Sequence, residues 1–89
     1  MHAIPIRVEC YAGYRGDETP RAVDTGTGPT EVAEIIDRWY EAGRDPETPA
    51  ADYFKLVIAD ARVLLVKWDR SNLAWFLISE SAAQRSGEW

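Results

Sequence analysis

Three apolar runs in the second half of the chain, separated by very short polar breaks, constrain the fold more than any other feature. The runs cover residues 53–58, 62–68 and 73–78 and are rich in β-branched and aromatic types, which prefer strands. Because the breaks between them are so short, neighbouring strands can pair only in the antiparallel direction. The sequence therefore predicts a three-stranded β-meander.

Apolar residues on both faces of these strands predict that the sheet closes on itself or is covered. Leu64, Leu65 and Val66 are consecutive, so one buried face cannot take all of them. Near the start of the chain a period of two predicts another half-buried strand, with Ile4, Ile6, Val8 and Cys10 on its inner face. We predict an all-β fold, a small antiparallel barrel or roll of five to six strands that includes the meander.

Segment 30–41 is compatible with two structures. Its apolar residues have the spacing of an amphipathic helix, and they are Val32, Ile35, Ile36, Trp39 and Tyr40. All five are also β-branched or aromatic, which favours a strand. The periodicity thus predicts an α+β fold with a helix packed on the sheet, whereas the residue types predict an additional strand.

Length and composition indicate one domain. A chain of 89 residues, of which 46% are hydrophobic, has enough apolar surface for a single core. We expect one β domain over residues 1–79 and a flexible tail over 80–89, where no apolar period occurs. Cys10 is the single cysteine, so no intramolecular disulfide forms and a reducing compartment is favoured. With no basic leader and no membrane-length apolar run, we expect a cytoplasmic protein that binds no membrane. We also expect that it uses no cofactor.

The charge distribution bears on the choice of partner. The net charge is −5, and residues 29–51 alone contain six acidic and two basic side chains. A negative surface repels phosphate groups. Binding to nucleic acid is therefore possible but disfavoured by charge.

Three segments of the chain resemble a family of short bacterial cytosolic proteins of unknown function. They read IRVECYAGYRGDETPRA, DRWYEAG and YFKLVIADARVLLVKWDRSNLAWFL, and the resemblance in order and spacing covers residues 4–78. It implies a small all-β barrel in which the DRWY segment is a strand, and it implies no activity. On this ground we expect 30–41 to be a strand. The segments 23–28 and 44–51 depart from the family pattern.

Charged residues provide two groups of candidates. One is a mixed-charge loop whose side chains have the chemistry to hold a cation or form an acid–base pair, although such loops are ordinarily solvated ion pairs; it contains Arg15, Asp17, Glu18 and Arg21. The other is the pair Asp37 and Arg38, which either fixes the DRWY segment on the barrel or lies exposed on its outer face.

Aromatic residues provide the third group. Exposed rings on strands stack on nucleic-acid bases or hold cations, whereas buried rings fill the core, and core packing is the favoured role for aromatics at strand spacing. The residues concerned are Trp39, Tyr40, Trp68 and Trp75. We retain Trp39 and Tyr40 as binding candidates.

Three functions remain in competition. The sequence contains none of the common nucleotide-binding, zinc-protease or serine-hydrolase motifs, and it has one His and one Cys. The leading hypothesis is therefore a non-enzymatic module that binds an unidentified protein partner or a second copy of itself through the acidic 31–47 region. The first alternative is a nucleic-acid-binding barrel using Arg7, Arg15, Arg21 and Arg38. The second is a small hydrolase or metal-dependent enzyme built on Asp17, Glu18 and Asp37.

Overall fold

Six antiparallel strands form a closed barrel. The computed structural model describes residues 3–11, 19–43 and 50–82. Within these ranges no helix occurs, and each strand pairs with the next until β6 returns to β1. The strands are β1 Ile4–Cys10, β2 Pro20–Asp24, β3 Pro29–Glu41, β4 Ala51–Ile58, β5 Arg62–Asp69 and β6 Ala74–Ala82. The prediction of a small all-β barrel, here with six strands, is confirmed.

Closure depends on β1, which divides its pairing between two neighbours. Its first residues pair with β6, with Ile6 opposite Trp75, and its later residues pair with β2, with Val8 opposite Val23. The barrel encloses one core of residues that are at most 7% exposed, which are Val23, Phe54, Leu56, Ile58, Leu64, Val66, Trp75 and Leu77. Cys10 packs against this core from β1, as its position on the apolar face predicted.

The meander of β4, β5 and β6 forms as predicted, with two differences at its ends. Leu73, placed in the third run by its apolar character, lies in the turn before β6 and has a φ of 53°. The last strand continues to Ala82, so the expected domain end at residue 79 falls inside β6. Pairing with β5, where Arg62 lies opposite Ala82, extends the strand beyond the last strongly apolar residue.

The segment 30–41 is part of strand β3, and the helix alternative is wrong. Two register shifts, each consistent with a β-bulge, lie between Val32 and Glu34 and between Ile35 and Asp37. Each adds one residue to β3 relative to β4. Inward positions therefore recur every third residue instead of every second, with Val32 opposite Ile58, Ile35 opposite Leu56 and Arg38 opposite Phe54. The bulges thus give a strand the apolar spacing of a helix.

The turn between β5 and β6 is organised by the buried carboxylate of Asp69, which is 5% exposed. One oxygen accepts the backbone N–H groups of Ser71 at 2.9 Å and Asn72 at 3.1 Å, and the other accepts Nδ2 of Asn72 at 2.8 Å. Burial is the largest influence on this group and raises its pKa, but the hydrogen bonds from Asn72 and Ser71, with the charge of Lys67, outweigh it. The pKa of Asp69 therefore lies below its ordinary value.

We predict that two adjacent leucines of β5 differ in their contribution to stability. Leu64 is fully buried and Leu65, its chemical match, is partly exposed on the outer face. Leu64→Ala leaves a cavity in the core and should lower the free energy of unfolding by about 3 kcal/mol, against about 1 kcal/mol for Leu65→Ala. Urea denaturation of both variants measures this difference. Equal losses would contradict the assigned faces of β5.

We also predict that Asp69 contributes to acid sensitivity. Because its pKa is lowered in the folded state, its stabilising contribution is present above the unfolded pKa of about 4 and is lost as the pH falls through the folded pKa. Asp69→Asn should destabilise the protein at neutral pH and reduce the further loss of stability on acidification. Urea unfolding of both proteins from neutral to acid pH tests this. Stability curves that stay parallel throughout would show that Asp69 does not titrate as described.

Candidate functional site

The candidate residues Asp37, Arg38, Trp39 and Tyr40 lie together in the second half of β3, and all four are exposed. They alternate between the two faces of the strand. Asp37 and Trp39 lie opposite Lys55 and Tyr53 on the outer face, whereas Arg38 and Tyr40 lie opposite Phe54 and Asp52 on the inner face. This end of β3 therefore presents a different chemistry on each side.

On the outer face, Trp39 stacks on Tyr53. Their ring centroids are 5.4 Å apart and the planes are within 8° of parallel. Nζ of Lys67, opposite Tyr53 on β5, lies 5.9 Å from the centre of the tyrosine ring. Burial, followed by the charge of Glu41 and a hydrogen bond to its carboxylate, raises the pKa of Tyr53. The outer face thus carries a stacked aromatic pair with a cation beside it.

On the inner face, two arginines lie against aromatic rings. Cζ of Arg38 is 4.8 Å from the centre of the Phe54 ring, and Cζ of Arg70 is 4.5 Å from the centre of the Tyr40 ring. Arg70 also donates two hydrogen bonds to the carboxylate of Asp52, at 2.8 and 3.1 Å. Bidentate pairing of this kind is geometrically specific. It fixes Arg70 over Tyr40 and joins the end of β3 to the turn after β5.

Among the described residues, the edge of β3 that faces away from β4 is paired over only a short part of its length. β2 pairs with β3 only between Pro29 and Glu31, and within the described ranges no strand pairs with this edge from Ala33 to Glu41. The Arg38 N–H donates to Oδ1 of its neighbour Asp37 at 2.8 Å, so this donor is satisfied by a side chain instead of by a strand. Charged side chains and bulges on an edge strand are among the ways in which proteins limit unwanted strand pairing.

The mixed-charge loop does not form a described site. Arg15, Asp17 and Glu18 lie outside the described residues. Arg21 is on β2 and forms an ion pair of 2.6 Å with Glu9 on β1. Two of the basic residues proposed for nucleic-acid binding therefore already have contacts. Arg21 is paired with Glu9, and Arg38 lies against Phe54 of the core.

Several residues of the site were missed by the sequence analysis, namely Asp52, Tyr53, Lys67 and Arg70. The meander predicts which strands are neighbours, but the register across β3 depends on the two shifts. The four predicted aromatics divide between the two expected roles. Trp75 is buried in the core and Trp68 packs against it, whereas Trp39 and Tyr40 are exposed.

Comparison with protein-family models, with curated proteins and with solved structures found no match. Across the described residues, no cluster of three or more His, Cys, Asp or Glu side chains has the arrangement of a metal site. The same part of the chain contains no helix long and apolar enough to cross a membrane.

Proposed function

We propose that this chain is a non-enzymatic protein-interaction module that binds an extended segment of a partner along the open edge of β3. One observation carries the proposal. Ile36, Trp39 and Tyr40 are 48%, 43% and 52% exposed on a strand whose outer edge has no described partner. Trp39 and Tyr40 flank this edge from opposite faces of the strand, and open strand edges accept extended peptides through backbone hydrogen bonds while side chains on either face add contacts.

The charges along this strand favour a basic partner. Glu34, Asp37 and Glu41 lie on the same stretch as the single cation Arg38. A partner strand that alternates basic and apolar side chains would place its cations beside these carboxylates on the outer face and its apolar groups beside Tyr40 on the inner face. A second copy of β3 would bring the same acidic set into contact with itself, which disfavours self-association.

The shifts in β3 limit where a partner strand fits. Regular pairing with β4 resumes at Asp37 and continues to Glu41, so these five positions form the longest regular stretch of the open edge. The Arg38 N–H is already bonded to the Asp37 carboxylate. A lysine or arginine of the partner would attract that carboxylate and release the donor for strand pairing. A cytoplasmic location accompanies this proposal and is supported by the single cysteine, which stays reduced there.

We predict that a basic extended peptide binds this edge. The probe is a capped eight-residue peptide that alternates lysine with valine, and the matched control is the same peptide with glutamate in place of lysine. Titration calorimetry and amide NMR should show binding of the lysine peptide, with shifts concentrated at residues 37–41. The joint substitution Trp39→Ala and Tyr40→Ala should weaken binding by tenfold or more, as expected for exposed aromatic anchors, about 1.4 kcal/mol.

Ile4→Ala is the control variant, because Ile4 is similarly exposed, at 54%, on a strand that does not neighbour β3. It should bind the lysine peptide as the unmodified protein does. Equal binding of the two peptides, or shifts away from β3, would contradict the proposal. Sedimentation that shows a dimer lost in the Trp39 and Tyr40 variant would instead identify a second copy as the partner.

A second candidate function, binding of single-stranded nucleic acid, is supported by the outer-face stack. Trp39 keeps 43% of its surface exposed while resting on Tyr53, and bases stack on such rings in a sequence-tolerant way. Lys55 and Lys67 lie on the same face, next to and opposite Tyr53. Against it stand the net charge of −5 and the acidic residues of β3.

We expect weak, salt-sensitive binding of this kind at most. Fluorescence titration with oligothymidylate at low salt measures it, and Lys67→Gln should reduce the affinity because it removes the cation beside the stack. If oligothymidylate binds more tightly than the lysine peptide, nucleic-acid binding becomes the favoured function. If Lys67→Gln leaves the affinity for oligothymidylate unchanged, any binding occurs away from the outer face.

A further inference from the structure

A second surface differs in chemistry from the β3 edge and has the form of a small-molecule site. It is a groove of about 730 Å³ between β1, β2 and the turn that precedes β6. This volume lies within the range typical of ligand pockets. Its apolar lining comes from Ile6, Val8, Pro29, Leu73 and Trp75. The groove thus combines concave shape with an apolar surface.

One cation, Arg7, lines this surface. It lines the groove and also an adjoining hollow of about 380 Å³, so it is placed where the two meet. It is exposed, and in the described part of the chain it forms no ion pair. A guanidinium in this position can donate two parallel hydrogen bonds to a carboxylate.

The two carboxylates that line the groove are already bound to other groups. Asp24 lies opposite Arg7 in the strand register, but its Oδ1 accepts the N–H groups of Gly26 at 2.8 Å and Gly28 at 3.1 Å. Both glycines have positive φ, at 126° and 107°, which side chains rarely adopt. Glu9 is paired with Arg21 at 2.6 Å. Among the described residues, neither carboxylate forms an ion pair with Arg7, so its guanidinium is not held by them.

Leu73 gives the groove an unusual wall. It is 73% exposed and has a φ of 53°, a left-handed conformation that is uncommon for a residue of this size. The hydrogen bonds of the Asp69 carboxylate to Ser71 and Asn72 hold the turn that contains it. Strained backbone conformations of this kind cluster at active sites and ligand-binding sites. Leu73 is placed to cover the apolar part of a ligand.

We propose that this groove binds a small organic monocarboxylate with an apolar, ring-sized body. The carboxylate pairs with Arg7, and the body lies against the exposed Leu73 and Pro29, which line the same groove. A single negative charge fits better than a phosphate dianion, because Asp24 and Glu9 lie within the same lining and repel additional charge. This inference is independent of the protein-interaction function, since none of the residues that line the groove belongs to the 36–41 stretch of β3.

The probe is 2-naphthoate, compared with its neutral match 2-naphthamide and with inorganic phosphate. Titration calorimetry should show that the folded protein binds 2-naphthoate more tightly than 2-naphthamide and does not bind phosphate. Arg7→Gln should weaken the binding of 2-naphthoate about tenfold or more, because the charge-assisted hydrogen bonds are lost. The affinity for 2-naphthamide should not change. Arg62→Gln is the control, since it removes the same charge at the β4–β5 turn.

A second variant tests the apolar wall. Leu73→Ala should weaken both naphthalene probes by a similar factor, because it removes contact with the ring and leaves Arg7 in place. Amide NMR should place the 2-naphthoate shifts at Ala22, Ala74 and Trp75, which line the groove. The proposal is overturned by equal 2-naphthoate binding to the Arg7→Gln variant, by shifts outside the groove, by competition from phosphate, or by no binding at millimolar 2-naphthoate.

Discussion

The divided pairing of β1 is the interaction on which the rest of the structure depends. A seven-residue strand forms hydrogen bonds with β6 at its start and with β2 at its end, which turns an open meander into a barrel. Closure encloses Leu64 and Val66 in the core, whereas Leu65 between them lies outside and stays partly exposed. Within residues 3–11, 19–43 and 50–82, the far edge of β3 stays unpaired beyond its start, because β2 has five residues and β3 has thirteen.

The meander and the barrel could be predicted because they depend on strand composition and on short connections. The structure of 30–41 could not be decided by periodicity, since the two shifts in β3 move inward positions to every third residue. Only the β-branched and aromatic composition and the family resemblance indicated a strand. Leu73 was misplaced for a related reason. Its apolar side chain predicts burial, whereas the hydrogen bonds of Asp69 fix a turn in which it is exposed.

The candidate site was predictable on one strand and not across strands. Trp39 and Tyr40 follow directly from the sequence, whereas their contacts with Tyr53 and Arg70 require the register. The Arg7 groove was beyond sequence reasoning for a different reason. Asp24 faces Arg7 in the strand register, and only the structure shows that its carboxylate bonds to Gly26 and Gly28 and forms no ion pair with the arginine.

The two shifts in β3 have a consequence for how this chain can vary in length. Ala33 and Ile36 are the extra residues, and each separates an inward residue from an outward one. Removal of either would restore regular alternation without changing the faces of Val32, Ile35 or Arg38. β3 can therefore lose or regain a residue at these two points while the same side chains continue to fill the core. Related chains that differ by single-residue insertions in this strand would share one barrel and differ mainly in the bend and reach of the edge they present.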